Sequence, residues 1–193
     1  MKKQHVAIVG PIGAGKTTAA EFFQNKGFES YKLSYAITLE AEKRGLDRGN
    51  RKILQDLGDE MRERDGLEVL ASIAVQHLKK SPKQHFVVES IRNHHELKYL
   101  KDYFGKKLLI LAINAPLKVR YERAVSRQGQ YKEQEMSFTE FKEIDKRDFG
   151  INNKPNEQNV DKCIKMADFM ILNNASESHL TRELDKVYGE YFE

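Results

Sequence analysis

Five short apolar runs punctuate a chain that is otherwise periodic and charged. They are His5-Val6-Ala7-Ile8-Val9, Phe28-Glu29-Ser30-Tyr31-Lys32-Leu33, Phe86-Val87-Val88, Leu108-Leu109-Ile110-Leu111-Ala112-Ile113 and Phe169-Met170-Ile171-Leu172. Each is bounded by turn-forming or charged residues, and helical patterns separate one from the next. Short runs of this kind, alternating with helices, predict a mostly parallel sheet covered on both faces, an α/β fold of three layers. The uninterrupted run 108–113 is expected to be a central strand. A helical pattern runs from Lys16 to about Lys26, and three helical segments are expected between Ser34 and Ser81. In the last of these Leu67, Leu70, Ala71, Ala74, Val75 and Leu78 recur at three- and four-residue spacing, which makes one face of a helix apolar. Asn93-x-x-Glu96 and Ser137-x-x-Glu140 read as capping boxes that start two later helices. Leu180, Leu184, Val187 and Tyr191 give a terminal helix its buried stripe. The pattern shows no internal repeat, low-complexity tract or proline-rich linker.

Composition narrows this picture. A chain of 193 residues is expected to form a single domain and to bury roughly 70% of its extended surface. Charged residues make up 32% of it and the mean hydropathy is −0.68, ordinary for a globular protein. No apolar run approaches the roughly 18 residues of a membrane span, and Met-Lys-Lys leads straight into the first strand. A cytoplasmic protein with no membrane partner is expected. The one cysteine, Cys163, excludes an internal disulfide and a cysteine metal site. It shares a helical face with Val160, Ile164 and Ala167, so a core thiol is expected, not a nucleophile. Net charge is +4, from 33 basic and 29 acidic residues spread along the chain. That balance suits small phosphates and offers no nucleic-acid stripe.

The chemistry is concentrated in Gly10-Pro11-Ile12-Gly13-Ala14-Gly15-Lys16-Thr17, between the first strand and the first helix. It fits G-x-x-x-x-G-K-[ST] at every fixed position and in the required strand–loop–helix context. Glycines let the backbone wrap an anion, and the helix start adds unsatisfied N–H groups and the positive end of its dipole. Lys16 is expected to reach the β- and γ-phosphates of ATP and Thr17 to hold Mg²⁺. The expected nucleotide-binding set in this region is Gly10, Gly13, Ala14, Gly15, Lys16, Thr17 and Thr18.

A second group of residues lies at the end of the third strand. In Val87-Val88-Glu89-Ser90-Ile91-Arg92-Asn93 an acid stands at the carboxyl end of a buried strand and an arginine follows three residues later. Ligands of open α/β sheets collect at such ends. Glu89 is expected to hold a Mg²⁺-bound water or polarise an attacking group, and Arg92 to reach an acceptor phosphate. The stretches 34–80 and 126–160 are richly charged and contribute no strand on this reading. Their arginines (Arg51, Arg62, Arg64, Arg120, Arg123, Arg127, Arg147) are candidates for phosphate contact. His94 and His95 lack the i, i+4 spacing of a helical metal pair and read as surface residues.

Together with Val119-Arg120-Tyr121-Glu122-Arg123-Ala124-Val125-Ser126-Arg127 and Ala167-Asp168-Phe169-Met170-Ile171-Leu172-Asn173-Asn174, these segments resemble the P-loop nucleotide kinases. The resemblance is greatest to deoxynucleoside monophosphate kinases, with a C-terminal signature also found in dephospho-coenzyme A kinases. It implies a five-stranded parallel sheet within one P-loop kinase domain. The core would comprise residues 1–33, 81–126 and 160–193, with an acceptor-binding arm at 34–80 and a lid at 127–150. Arg123 would pack against the donor base, Arg127 touch donor phosphate, Arg147 close on the transferring group, and Asn173 and Asn174 flank the adenine. The resemblance also carries departures. Tyr35-Ala36-Ile37-Thr38-Leu39 lacks the arginine that adenylate kinases place there, leaving Arg51 or Arg62 to substitute, and Glu89-Ser90 stands where Asp-Gly is frequent. The expected activity is ATP- and Mg²⁺-dependent transfer to a nucleoside or deoxynucleoside monophosphate, by a monomer or homodimer. The alternatives are a dephospho-coenzyme A kinase, a nucleotide-binding protein without turnover, and a regulatory nucleotide switch or slow NTPase. Against the last, the sequence has no guanine-reading Asn-Lys-x-Asp.

Overall fold

In the computed structural model, residues 2–126, 136–150 and 154–193 are described. The five apolar runs become β1 (His5–Val9), β2 (Glu29–Lys32), β3 (Phe86–Glu89), β4 (Leu108–Asn114) and β5 (Phe169–Leu172). They form one sheet in the order β2-β3-β1-β4-β5, and every pairing is parallel. The centre belongs to β1, all five residues of which are buried. The 108–113 run lies beside it as an interior strand, because β5 pairs along its other edge.

The helices are α1 (Lys16–Asn25), α2 (Ser34–Lys43), α3 (Arg51–Asp65), α4 (Val69–Leu78), α5 (His94–Phe104), α6 (Leu117–Ser126), α7 (Phe138–Phe149), α8 (Val160–Lys165) and α9 (Glu177–Tyr191). The arm stretch holds the three expected helices, α2 to α4, although Leu67 falls just before α4. Side chains alternate across a strand, so β1 divides its residues between two cores. Ala7 and Val9 join Leu70, Ala74, Leu97, Leu100 and Cys163 on the face covered by α4, α5 and α8. Val6 and Ile8 join Ala19, Phe23, Leu180, Leu184 and Val187 under α1 and α9. A third, small cluster of Ile12, Ala124 and Phe141 seats α7 over the loop after β1 and against α6. Both expected capping boxes form, at Asn93 with Glu96 and at Ser137 with Glu140. Among the described residues no helix is long and apolar enough to cross a membrane.

Because all five strands run the same way, the carboxyl ends of β1, β2, β3 and β4 open on one edge of the sheet. The loop 10–15, Lys32, Glu89 and Asn114 therefore share a neighbourhood despite wide separation in sequence.

Candidate functional site

The loop after β1 depends on glycine at three points. Gly10, Gly13 and Gly15 have φ of 144°, 73° and 105°. A Cβ at Gly10 would stand 2.1 Å from the carbonyl oxygen of Ile113, and one at Gly13 would stand 2.3 Å from that of Arg120. The loop is thus pressed against β4 and α6 and cannot be widened by a side chain. Lys16 is 8% exposed, and its ammonium donates to the Pro11 carbonyl across the loop at 2.7 Å. Burial, and then the nearby Arg92, push its pKa well below the ordinary lysine value. A cation held in this condition gains from the arrival of an anion.

The loop is braced from behind by Asn173, whose Nδ2 donates to the Ala14 carbonyl at 2.9 Å. Arg123 in turn holds that segment, donating to the carbonyls of Asn173 and Ala175, both at 2.9 Å. Arg120 ties the loop to α6 and α7. It donates to the carbonyls of Ala115 at 2.9 Å and Ile12 at 3.2 Å and forms a two-point pair with Asp145.

A cavity of about 660 Å³ opens over the loop. One wall is Gly13, Gly15, Lys16, Thr17 and Thr18, and the facing wall includes Lys32, Ser34, Arg51, Leu54 and Gln55. Glu89, Ser90 and Arg92 lie between them, and Arg123 and Asn173 also line the cavity. Most of the residues expected from the sequence are thus brought to one hollow. Gly10 and Ala14 are buried beneath it.

Other expected residues are placed differently. Arg62 touches the cavity but is only 1% exposed, and its guanidinium bridges Glu96 at 2.8 Å and Asp59 at 3.2 Å. Arg147 does not line the cavity. It binds Asp56 at 2.7 Å and Asp59 at 2.9 Å, both on α3. Asn174 is exposed, and Arg64 pairs with Asp65 at 2.6 Å on the surface. Arg127 and residues 128–135 of the expected lid lie outside the described residues. His94 and His95 are half-buried, not surface residues. Their rings lie 4.1 Å apart between centroids, and His94 Nδ1 is 2.8 Å from Asn159 Oδ1. Among the described residues no group of three or more His, Cys, Asp or Glu could hold a metal. Cys163 is buried, as expected, and burial pushes its thiol pKa up.

Glu89 is 2% exposed. It is the register partner of Lys32 in the β2–β3 pairing, and Lys32 Nζ lies 3.3 Å from its Oε1. Burial pushes the Glu89 carboxyl up, while Lys32 and Lys16 pull it down. Ser90 follows with φ 63°, the one non-glycine residue of positive φ among those described. That turn carries the chain from Glu89 to Arg92, whose Nη1 donates to Asp148 of α7. Two residues of this set were not singled out from the sequence. Lys32 obeys the same strand-end rule as Glu89, and Asp148 stands at i+3 from Asp145, which puts two carboxylates on one face of α7 toward two arginines.

The AAA domain family matches residues 6–168. A UPF0200 protein of Pyrococcus horikoshii is 28% identical over 188 residues, 96% of each chain. One from Pyrobaculum aerophilum is 29% identical over 188 residues, covering 96% of this chain and 97% of the other. Among solved structures, shikimate kinase from Bacteroides thetaiotaomicron superposes with a TM-score of 0.60 at 14% identity, over 97% of each chain. TT1252 from Thermus thermophilus superposes at 0.59 with 20% identity over the full length of both. At these identities the likeness to the solved structures is one of fold.

Proposed function

The chain belongs to the AAA domain family and has a P-loop kinase fold, and from that premise we propose that it transfers the γ-phosphoryl group of ATP to a small phosphate-bearing acceptor. A nucleoside or deoxynucleoside monophosphate is the acceptor that suits the site best. The observation that carries this reading is the distribution of charge in the cavity. The phosphate loop takes one wall, and Lys32, Arg51 and Arg92 line the rest of the cavity. Lys32 is paired with Glu89 and Arg92 with Asp148, and the Arg92 donors not used on Asp148 suit the oxygens of an acceptor phosphate.

The donor side fits a nucleoside triphosphate with its metal. The glycine-built loop leaves room only for backbone, and the Thr17 hydroxyl and Glu89 carboxylate are hard oxygen donors that suit Mg²⁺. When bound there, Mg²⁺ would neutralise charge on the β- and γ-phosphate oxygens. Lys16 would leave the Pro11 carbonyl for the phosphates, and Arg92 would hold the acceptor phosphate in line. Arg123 and Asn173 would keep the loop in shape. Transfer would then be direct, without a covalent enzyme intermediate, and driven by positioning and charge neutralisation.

The test is a product-detected screen of ATP with nucleoside and deoxynucleoside monophosphates, alongside dephospho-coenzyme A as a hydroxyl acceptor. Formation of nucleoside diphosphate is expected. Phosphorylation of the hydroxyl acceptor alone, or acceptor-independent hydrolysis alone, would overturn the assignment.

A further inference from the structure

Arg92 is held at its backbone from both sides. Ser90 sets the turn before it, the Arg92 carbonyl accepts from Asn159 N at 2.8 Å, and Asn93 caps α5 directly after it. What remains free is the side chain, and a long arginine carries much rotamer entropy. Its guanidinium is not left to sample that freedom. Nη1 donates to Oδ2 of Asp148, a carboxylate whose side chain is 1% exposed while that of Arg92 is 15% exposed. The other oxygen, Oδ1, accepts from Gln55 Nε2 at 2.6 Å, and the same amide lies 3.4 Å from Gln158 Oε1. Asp148 is thus gripped by the arm helix α3 on one side and grips the cavity arginine on the other, from the last turn of α7.

We infer that Asp148 is a positioning residue, which aims the remaining N–H donors of Arg92 at the acceptor phosphate, with Gln55 fixing Asp148 in turn. This rests on the reading that Arg92 takes that phosphate. A buried carboxylate with two donors already on it does not swing away to make room. It holds Nη1 and leaves Arg92 lining the cavity. A charge-assisted hydrogen bond is the strong kind, and this single Nη1–Oδ2 bond fixes one end of the planar guanidinium. Because Gln55 belongs to the arm and Asp148 to α7, the junction sets the acceptor arginine by both elements at once.

The experiment is steady-state kinetics of the intact protein with ATP and the monophosphate that the screen selects. Asp148→Asn keeps the shape and removes the charge, and should raise the acceptor KM about tenfold, the size expected for weakening one hydrogen bond to a charged group. The ATP KM should change by less than the acceptor KM, since Asp148 reaches the donor side only through its charge on Lys16. In an Arg92→Gln background, Asp148→Asn should add nothing, as expected when one residue acts through the other. Gln55→Leu should raise the acceptor KM in the same direction by less, and it serves as the test if Asp148→Asn does not fold. An unchanged acceptor KM, equal shifts for both substrates, or additive effects in the double variant would overturn the inference. Absence of transfer by the unaltered protein to every acceptor would instead overturn the proposed function, and this inference with it.

Discussion

Lys16 is legible from the motif alone, but its condition is not. The folded chain keeps the ammonium inside the loop on the Pro11 carbonyl, where burial disfavours its charge. A phosphate would relieve that cost, so on the proposed function the residue would contribute more to the transferring group than to the fold. Lys16→Ala should lower phosphoryl transfer by about 100-fold or more, the scale of losing a preorganised electrostatic donor, with an unchanged circular dichroism spectrum. Near-normal turnover would remove the loop from the active site. Ser90 carries the opposite lesson. Its place after Glu89 is visible in the sequence, yet nothing in the residue type announces a φ of 63°, which glycine adopts without penalty and serine does not. Ser90→Gly should therefore cost little or stabilise the protein, by up to about 1 kcal/mol in urea unfolding. A loss of more than that would show that the serine side chain makes a contact worth more than the strain.

At the scale of elements, strands and helices show in the sequence because each is a local pattern. Their ion pairs stay hidden because the partners lie far apart in the chain. Arg120 and Arg147 look alike as arginines on charged helices. In the fold Arg120 is buried, and it holds Asp145, which is itself 6% exposed, together with two loop carbonyls. Arg147 has its side chain 31% exposed and is paired with Asp56 at 57% and Asp59 at 12%. Removing one partner of a buried pair strands the other charge, so Arg120→Ala should cost about 3 kcal/mol or more in unfolding free energy. Arg147→Ala should cost less, about 1 kcal/mol, because its guanidinium and Asp56 are solvated in part and Arg62 stays paired with the buried Asp59. Chemical denaturation of the two variants side by side checks both numbers. Comparable losses would mean that the α7–α3 contact holds α7 as firmly as the α7–α6 contact does. Within the expected lid, α7 is tied to α6 through Asp145 and to α3 through Arg147, and the sequence does not name those partners.

At the scale of the whole molecule, the parallel sheet gathers the chemistry at one edge and leaves the opposite edge to packing. His5 begins β1 at that opposite edge, where its ring stacks on Phe86 with centroids 5.3 Å apart and lies 4.3 Å from Phe104. As part of an apolar run it reads as a strand residue, and hydrophobic pattern alone gives no sign that it titrates abnormally. Burial first, and then His85 and Lys107, lower its pKa from 6.5 to about 4. Between those two values the unfolded chain takes up a proton at this position and the folded chain does not, so stability falls as the pH is lowered. Well above pH 6.5 the ring is neutral in both states, and well below about 4 it is charged in both, so the pH dependence it contributes is confined to that window and the stability lost there stays lost below it. Glu89 and Asp59, whose carboxyl pKa values are raised by burial, act in the opposite sense, which would mask the slope in the unaltered protein. His5→Phe removes the titration, keeps an aromatic ring against Phe86 and Phe104, and leaves both carboxyls in place. The difference in Tm between His5→Phe and the unaltered protein should therefore widen in favour of the variant from pH 6.5 down to 4. Phosphoryl transfer at neutral pH should be unaffected, because the phosphate loop begins at the other end of the same strand. A Tm difference that stays constant across the window would mean that the ring is solvated enough to protonate in the fold.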